Sequence, residues 1–187
     1  RLLQRFEITS LYTTHDQTEA IALGDCIVVM RAGRVEQVGT YDALLAHPDN
    51  AFVAGFFGSP PMNLVSDGTV AEGALRWDQL SIPLPPHVRE GVSAGQALIL
   101  GIRPEAVQVV TPDGDPPPPD GIRLQGIVDV IEPDFARRRQ VIYARTGEVS
   151  YAAVGPLDVS LNVGDKVVVV FPSDRLFFFD GTSERRL

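Results

Sequence analysis

The nine residues Tyr12-Thr13-Thr14-His15-Asp16-Gln17-Thr18-Glu19-Ala20 hold the side chain best suited to chemistry in this chain. His15 follows a β-branched and aromatic run and precedes a segment with helical character, so it is expected at the carboxyl end of a buried strand with a capped helix immediately after it. A neutral or protonated imidazole there could hydrogen-bond a terminal phosphate and a nearby water, sensing whether the phosphate is present. One histidine near a strand end is weak evidence by itself, because a solvent-facing or core histidine gives the same local pattern. Arg103 and Glu105 flank Pro104 and could be read as an acid-base pair, although side chains on either side of a turn proline more often make a local ion pair or bond a backbone carbonyl. Trp77 is expected as core or half-buried packing, and the phenylalanines at 171 and 177–179 as core or dimer contact. His47 and His87, each beside a proline, lack the spacing of a metal site.

The elements that must position His15 lie between residues 1 and 58. Leu2, Leu3 and Phe6 read as the end of an amphipathic helix and Ile8 to Thr14 as a buried strand. Asp16 is expected to cap a helix running to Leu23 and stopping at Gly24, with Glu19 three residues on completing a capping-box-like pair. A hairpin then predicts itself from Ile27 to Arg31, a turn at Ala32-Gly33, and Arg34 to Val38. Thr40 opens one helix, Pro48 ends it, and Asp49 or Asn50 caps another bearing Phe52, Val53, Phe56 and Phe57. The order β-α-β-β-α-α is that of the edge of an α/β domain, too short of strands to form a sheet alone.

Gly58-Ser59-Pro60-Pro61 breaks any helix, and a boundary is expected between segments 1–58 and 59–187. Beyond it, short apolar runs recur between turn residues, at 73–77, 80–84, 97–102, 106–110, 122–131, 140–145, 149–154, 166–171 and 176–179. That texture predicts a small antiparallel barrel or sandwich. Thr111 to Gly121, with four consecutive prolines, is expected as an exposed loop.

Composition narrows the function classes. With 187 residues and 44% hydrophobic content, the chain can bury one good-sized core or two small ones. A formal net charge of −8 opposes a nucleic-acid partner, since such binding rests on clustered Lys and Arg. The short basic runs 137–139 and 185–186 are expected as solvated strand or tail charges rather than an anion-binding patch. Cys26 is the single cysteine, cannot form an internal disulfide, and is expected as a small buried hydrophobe in a reducing, cytoplasmic protein. No run approaches the roughly 18 to 20 apolar residues of a membrane span. The chain starts at Arg1 with residues that read as the middle of a helix, from which truncation or processing is expected.

The nine-residue segment around His15 resembles the switch-histidine segment of ABC ATPases, and Leu23-Gly24-Asp25, Ile27-Val28-Val29-Met30 and Gly33 to Gly39 continue the resemblance without a gap. Phe57-Gly58-Ser59-Pro60-Pro61-Met62-Asn63-Leu64 and Leu100-Gly101-Ile102-Arg103-Pro104-Glu105 are similar to the sugar and glycerol-phosphate (maltose-type) importer branch of that family. The resemblance implies a mainly β fold: an OB-like (TOBE/MOP-type) antiparallel β-barrel regulatory domain, preceded by the C-terminal α/β remnant of an ABC nucleotide-binding domain. It implies that His15 contacts the ATP γ-phosphate in the intact, closed dimer, with ATP and magnesium bound by the parent protein. Arg103 and Glu105 are carried over only as structural residues of the regulatory domain. The implied partners are a second copy, transmembrane permease subunits and, indirectly, an extracytoplasmic solute-binding protein; nucleic acid is not among them. Attachment to the inner face of the plasma membrane would run through the permease. The phosphate loop G-x-x-x-x-G-K-[ST], the signature motif and the strand ending in Asp-Glu are absent from these residues, so the chain alone is expected neither to bind ATP tightly nor to hydrolyse it. It is expected to self-associate, through residues 1–58 or through the β-domain, because an isolated sheet edge exposes apolar faces. The competing reading is a stand-alone β-barrel sensor of a small oxyanion or sugar.

Overall fold

Asp16, Thr40 and Asn50 each start a helix by lending a side-chain oxygen to backbone N–H groups that a helix leaves unpaired in its first turn. The computed structural model describes residues 9–77, 80–111 and 121–187. In it Asp16 accepts from the N–H of Thr18 and Glu19 at 2.7 and 3.3 Å, opening α1 (Gln17–Leu23). Thr40 caps α2 (Tyr41–Ala46) through the N–H of Ala43, and Asn50 caps α3 (Ala51–Phe56) through that of Val53 at 2.9 Å. Between α1 and α2 lies the expected hairpin, β1 (Ile27–Arg31) and β2 (Arg34–Gly39), turning through Ala32 and Gly33 at φ of 49° and 77°. Two successive positive φ values are what a tight two-residue hairpin turn demands, and glycine meets one of them without strain.

Alternation along β1 decides what the hairpin buries. Ile27 and Val29 face inward and cluster with Leu44, Val53 and Phe57. Val28 and Met30 point the other way, opposite Val38 and Val35 of β2, and all four are about half exposed.

Three local expectations fail here. Residues 9–14 form no strand and Leu11 is 91% exposed, because a strand exists only where a neighbour takes its backbone hydrogen bonds, and among the described residues none pairs with this run. Cys26 is exposed rather than buried, since the alternation that turns Ile27 inward turns its predecessor outward. Glu19 does not close a capping box: its carboxylate accepts from Thr14 Oγ1 at 2.8 Å and Tyr12 OH at 3.0 Å, and the Asp16 N–H donates to Thr14 Oγ1 instead. The expected helix end at Leu2, Leu3 and Phe6 and nearly all of the proline-rich loop lie outside the described residues.

The rest of the chain is β3 (Asn63–Ala71), β4 (Ala74–Trp77), β5 (Leu80–Pro83), a helical turn α4 (Pro86–Arg89), β6 (Ala97–Ile102), β7 (Gln108–Val110), β8 (Gly121–Asp134), β9 (Arg139–Thr146), β10 (Val149–Pro156), β11 (Lys166–Pro172) and β12 (Leu176–Asp180). Every strand expected beyond residue 58 is present, with one more, β3, that the sequence reading did not contain. They form two five-stranded sheets ordered β12-β6-β3-β4-β5 and β10-β9-β8-β11-β7, with antiparallel pairing throughout. One hydrophobic core joins both sheets, from Leu75, Leu98 and Ile102 in the first to Val128, Val167 and Phe171 in the second. The mainly β, curled antiparallel architecture is therefore the one expected.

The helical segment is not a separate body. Ala51 and Ala54 of α3 form a third cluster with Met62 and Phe179, placed beside β6 where Gly101 has no Cβ; one would stand 2.6 Å from the Met62 sulfur. The chain end completes the connection, since Ala51 N–H donates to Glu184 O, Arg186 N–H to Asp49 O and Leu187 N–H to Phe178 O, each within 3.0 Å. Among the described residues no helix is long and apolar enough to cross a membrane.

Candidate functional site

His15 sits in an exposed bend directly before α1. Its neighbours are held in a polar knot in which Thr14 and Tyr12 donate to Glu19, and Asp16 accepts from the start of the helix. The two backbone N–H bonds from Thr18 and Glu19 keep the Asp16 carboxyl below its ordinary range. The Glu19 carboxylate, by hydrogen bond and by charge, raises the Tyr12 phenol. The residue is exposed, and its imidazole makes no hydrogen bond among the described residues. A γ-phosphate and a water are the kind of partners such a ring could take.

Arg103 lies far along the chain and does a different job. Its guanidinium donates to Ala54 O at 3.0 Å, Phe57 O at 2.8 Å and Leu45 O at 2.9 Å, which are carbonyls at or near the C-terminal ends of α3 and α2. Those carbonyls are otherwise without helical partners and carry the negative end of the helix dipole, so one planar cation serves three of them. Burial pulls the Arg103 pKa below its ordinary value, with the nearby Glu105 charge opposing that shift. Glu105 is exposed and forms no ion pair with Arg103 among the described residues. His15 and Arg103 share no hydrogen bond or ion pair there either. His47 and His87 are both exposed, and the described residues contain no cluster of metal-ligating side chains.

Asn63 is a residue that sequence reasoning missed. Its amide donates to Ala152 O at 2.9 Å and accepts from Ala152 N–H at 2.8 Å, bonding β10 as a neighbouring strand would, and it also donates to Ile102 O. It thus joins the two sheets through one side chain. Only its position after the Pro60-Pro61-Met62 run marked it, and nothing local distinguishes such an asparagine from a turn residue.

The model of the MalK OB fold domain matches residues 58–107, a span that contains Asn63, Arg103 and Glu105. Over 99% of its length the chain is 35% identical to the sn-glycerol-3-phosphate import ATP-binding protein UgpC 1 of Rhizobium johnstonii, covering 48% of that protein. It is 42% identical to UgpC of Chromohalobacter salexigens, over 99% of this chain and 48% of that one. The trehalose/maltose import ATP-binding protein MalK of Thermococcus litoralis is 30% identical over the whole chain, which covers 50% of it. The chain belongs to this family of import ATP-binding proteins. It spans about half the length of each of these relatives.

For a member of the import ATP-binding family the fold is coherent: the OB-domain match starts at Gly58, in the link after α3, and runs through β3 to β6. A cytoplasmic molybdate-binding protein, ModG, solved with molybdate bound, aligns with 62% of this chain and 94% of its own at 13% identity and a TM-score of 0.48, too remote to transfer a ligand. Relationship along the full chain, rather than over the OB domain alone, sets the import family above the stand-alone sensor reading.

Proposed function

We propose that this chain is the part of a sugar or polyol importer's ATP-binding protein that couples nucleotide state, sensed at His15, to a β-barrel regulatory domain. The observation that carries this reading is relationship over 99% of the chain to proteins named for import and ATP binding. In the parent protein His15 meets the γ-phosphate of MgATP when two copies close, and the exposed ring above the Asp16 cap is compatible with that role. Residues 1–58 belong to the nucleotide-binding domain and 59–187 to the regulatory domain. Two permease subunits receive the closing motion, and a solute-binding protein outside the membrane delivers the solute. The chain by itself lacks the phosphate loop and neither binds ATP tightly nor hydrolyses it.

The test is His15→Ala in the parent protein assembled with its permease. ATP hydrolysis is expected to fall roughly 100-fold or more, the scale of losing a group that acts on the transferred phosphoryl or its water. MgATP binding, followed with a fluorescent nucleotide, should stay within about threefold, because the phosphate loop supplies most of the binding contacts. Unchanged hydrolysis would remove His15 from the mechanism. Saturable calorimetric binding of micromolar MgATP to the 187-residue chain would contradict its assignment as inactive alone.

A further inference from the structure

A cleft of about 1160 Å³ opens between α2, the Gly58-Ser59 link, the tip of the β8–β9 hairpin and the segment that leads into β12. Its charge runs against that of the molecule. Five arginines, at 103, 137, 139, 175 and 186, line it against three carboxylates, Asp42, Glu105 and Asp174, in a chain of formal net charge −8.

How much of that positive charge is already satisfied differs from residue to residue. Arg103 is committed to three backbone carbonyls. Arg137 and Arg139 share one carboxylate, Asp134, at 3.0 and 3.4 Å, which leaves the pair one charge in excess and holds both at the cleft's edge. Arg139 is fixed further by donating to Ser59 O at 3.0 Å. Arg175 meets only Asp174 at 3.6 Å, both side chains being more than two-thirds exposed, an arrangement worth little in water. The Arg186 guanidinium lies over the Phe177 ring, 5.1 Å from its centroid, with no carboxylate in reach among the described residues.

We propose that this cleft binds a small polyanion, a soluble molecule carrying two or more phosphate groups. Guanidinium forks match phosphate oxygens in pairs, and a set of them lining one concave site suits several such groups better than one. The cleft exceeds the size of a single phosphate, and Tyr41 and Phe177 are among the side chains that line it. A concave site favours a small ligand over a macromolecular surface. The proposal is independent of the nucleotide-coupling role of His15, which lies on another element.

Calorimetric titration of the 187-residue chain with inorganic pyrophosphate tests it, with inorganic phosphate at matched ionic strength as comparison. One saturating site per chain is expected, with pyrophosphate binding at least about tenfold tighter than phosphate. Arg175→Ala/Arg186→Ala should weaken it about tenfold, and Arg175→Ala alone, at an exposed position where the fold is not at stake, should weaken it measurably. Arg34→Ala, at the β1–β2 turn, should leave it unchanged. Absence of saturation up to about 5 mM pyrophosphate overturns the proposal, as does equal weakening by Arg34→Ala, which would mark general charge screening. Co-sedimentation with phosphatidylglycerol vesicles that disappears in the double variant, without pyrophosphate binding, would also overturn it and assign the arginines to a lipid surface.

Discussion

Tyr151 shows what one buried polar group contributes and when that contribution ends. Its ring is almost fully buried and meets Phe171 edge-on, centroids 5.0 Å apart, yet neither its hydroxyl nor the adjacent Thr146 hydroxyl completes a hydrogen bond of good geometry. Burial pushes the phenol up to about 12, against an ordinary value of 10.0, with Thr146 opposing the shift. A raised folded-state pKa means that the unfolded chain loses the proton first. The phenol therefore costs no stability below about pH 10, and stability falls as pH climbs from there through about 12. The melting temperature of the wild-type chain should drop between pH 9 and pH 11, and Tyr151→Phe should shrink that drop while leaving or raising the value at pH 7, where a poorly bonded buried hydroxyl is lost. Identical alkaline profiles for the two proteins would place the sensitivity at other groups.

At the scale of elements, Arg103 governs how α2 and α3 sit on the barrel, because three carbonyls from their C-terminal ends converge on it. Lysine carries the same charge but no planar fork, and it cannot reach all three. Arg103→Lys is expected to cost about 2 to 4 kcal/mol in urea unfolding, the sum of one or two abandoned, partly buried carbonyl bonds. A loss under about 0.5 kcal/mol would mean that water replaces the guanidinium without penalty. The legibility of the elements follows the same division between local and distant causes. α1, α2, α3 and the β1–β2 hairpin were readable because Asp16, Thr40, Asn50 and Gly33 act within a few residues of themselves. β3 was not: Ser66, Asp67, Gly68 and Thr69 look like a turn, and the strand survives them through a bulge between Val65 and Gly68 with Asp67 at φ 70°. Residues 9–14 had strand composition, but their partner is not a property of their own sequence. His15 could be singled out by its neighbours, whereas the roles of Arg103 and Asn63 depend on carbonyls 39 to 89 residues away in the chain.

The whole molecule has one well-sealed side and one open one. Toward the β-domain the helical segment is fastened by the Met62 and Phe179 cluster, by Arg103 and by the chain end, where Arg31 bonds both Glu36 and Glu184 and Asn50 bonds Glu36. Away from it, α1 buries none of its residues. The hairpin's outer face presents Val28, Met30, Val35 and Val38 at 47, 57, 57 and 55% exposure. Cross-strand pairing sets Val28 opposite Val38 and Met30 opposite Val35, so the four side chains form one contiguous apolar patch rather than scattered contacts. Water favours covering such a patch, and in a solution of this chain alone the available cover is another copy. Light scattering at rising concentration should therefore give a weight-average mass above the 20.3 kDa of one chain. Val28→Glu/Val38→Lys places an ion pair where the register already sets the two residues face to face, preserving the hairpin while removing its apolar surface. That variant should return the mass toward a single chain without lowering the melting temperature by more than about 5 °C. A wild-type chain that stays monomeric at every concentration would show that the patch is too small to drive association, and a variant that still associates would move the contact to the β-domain.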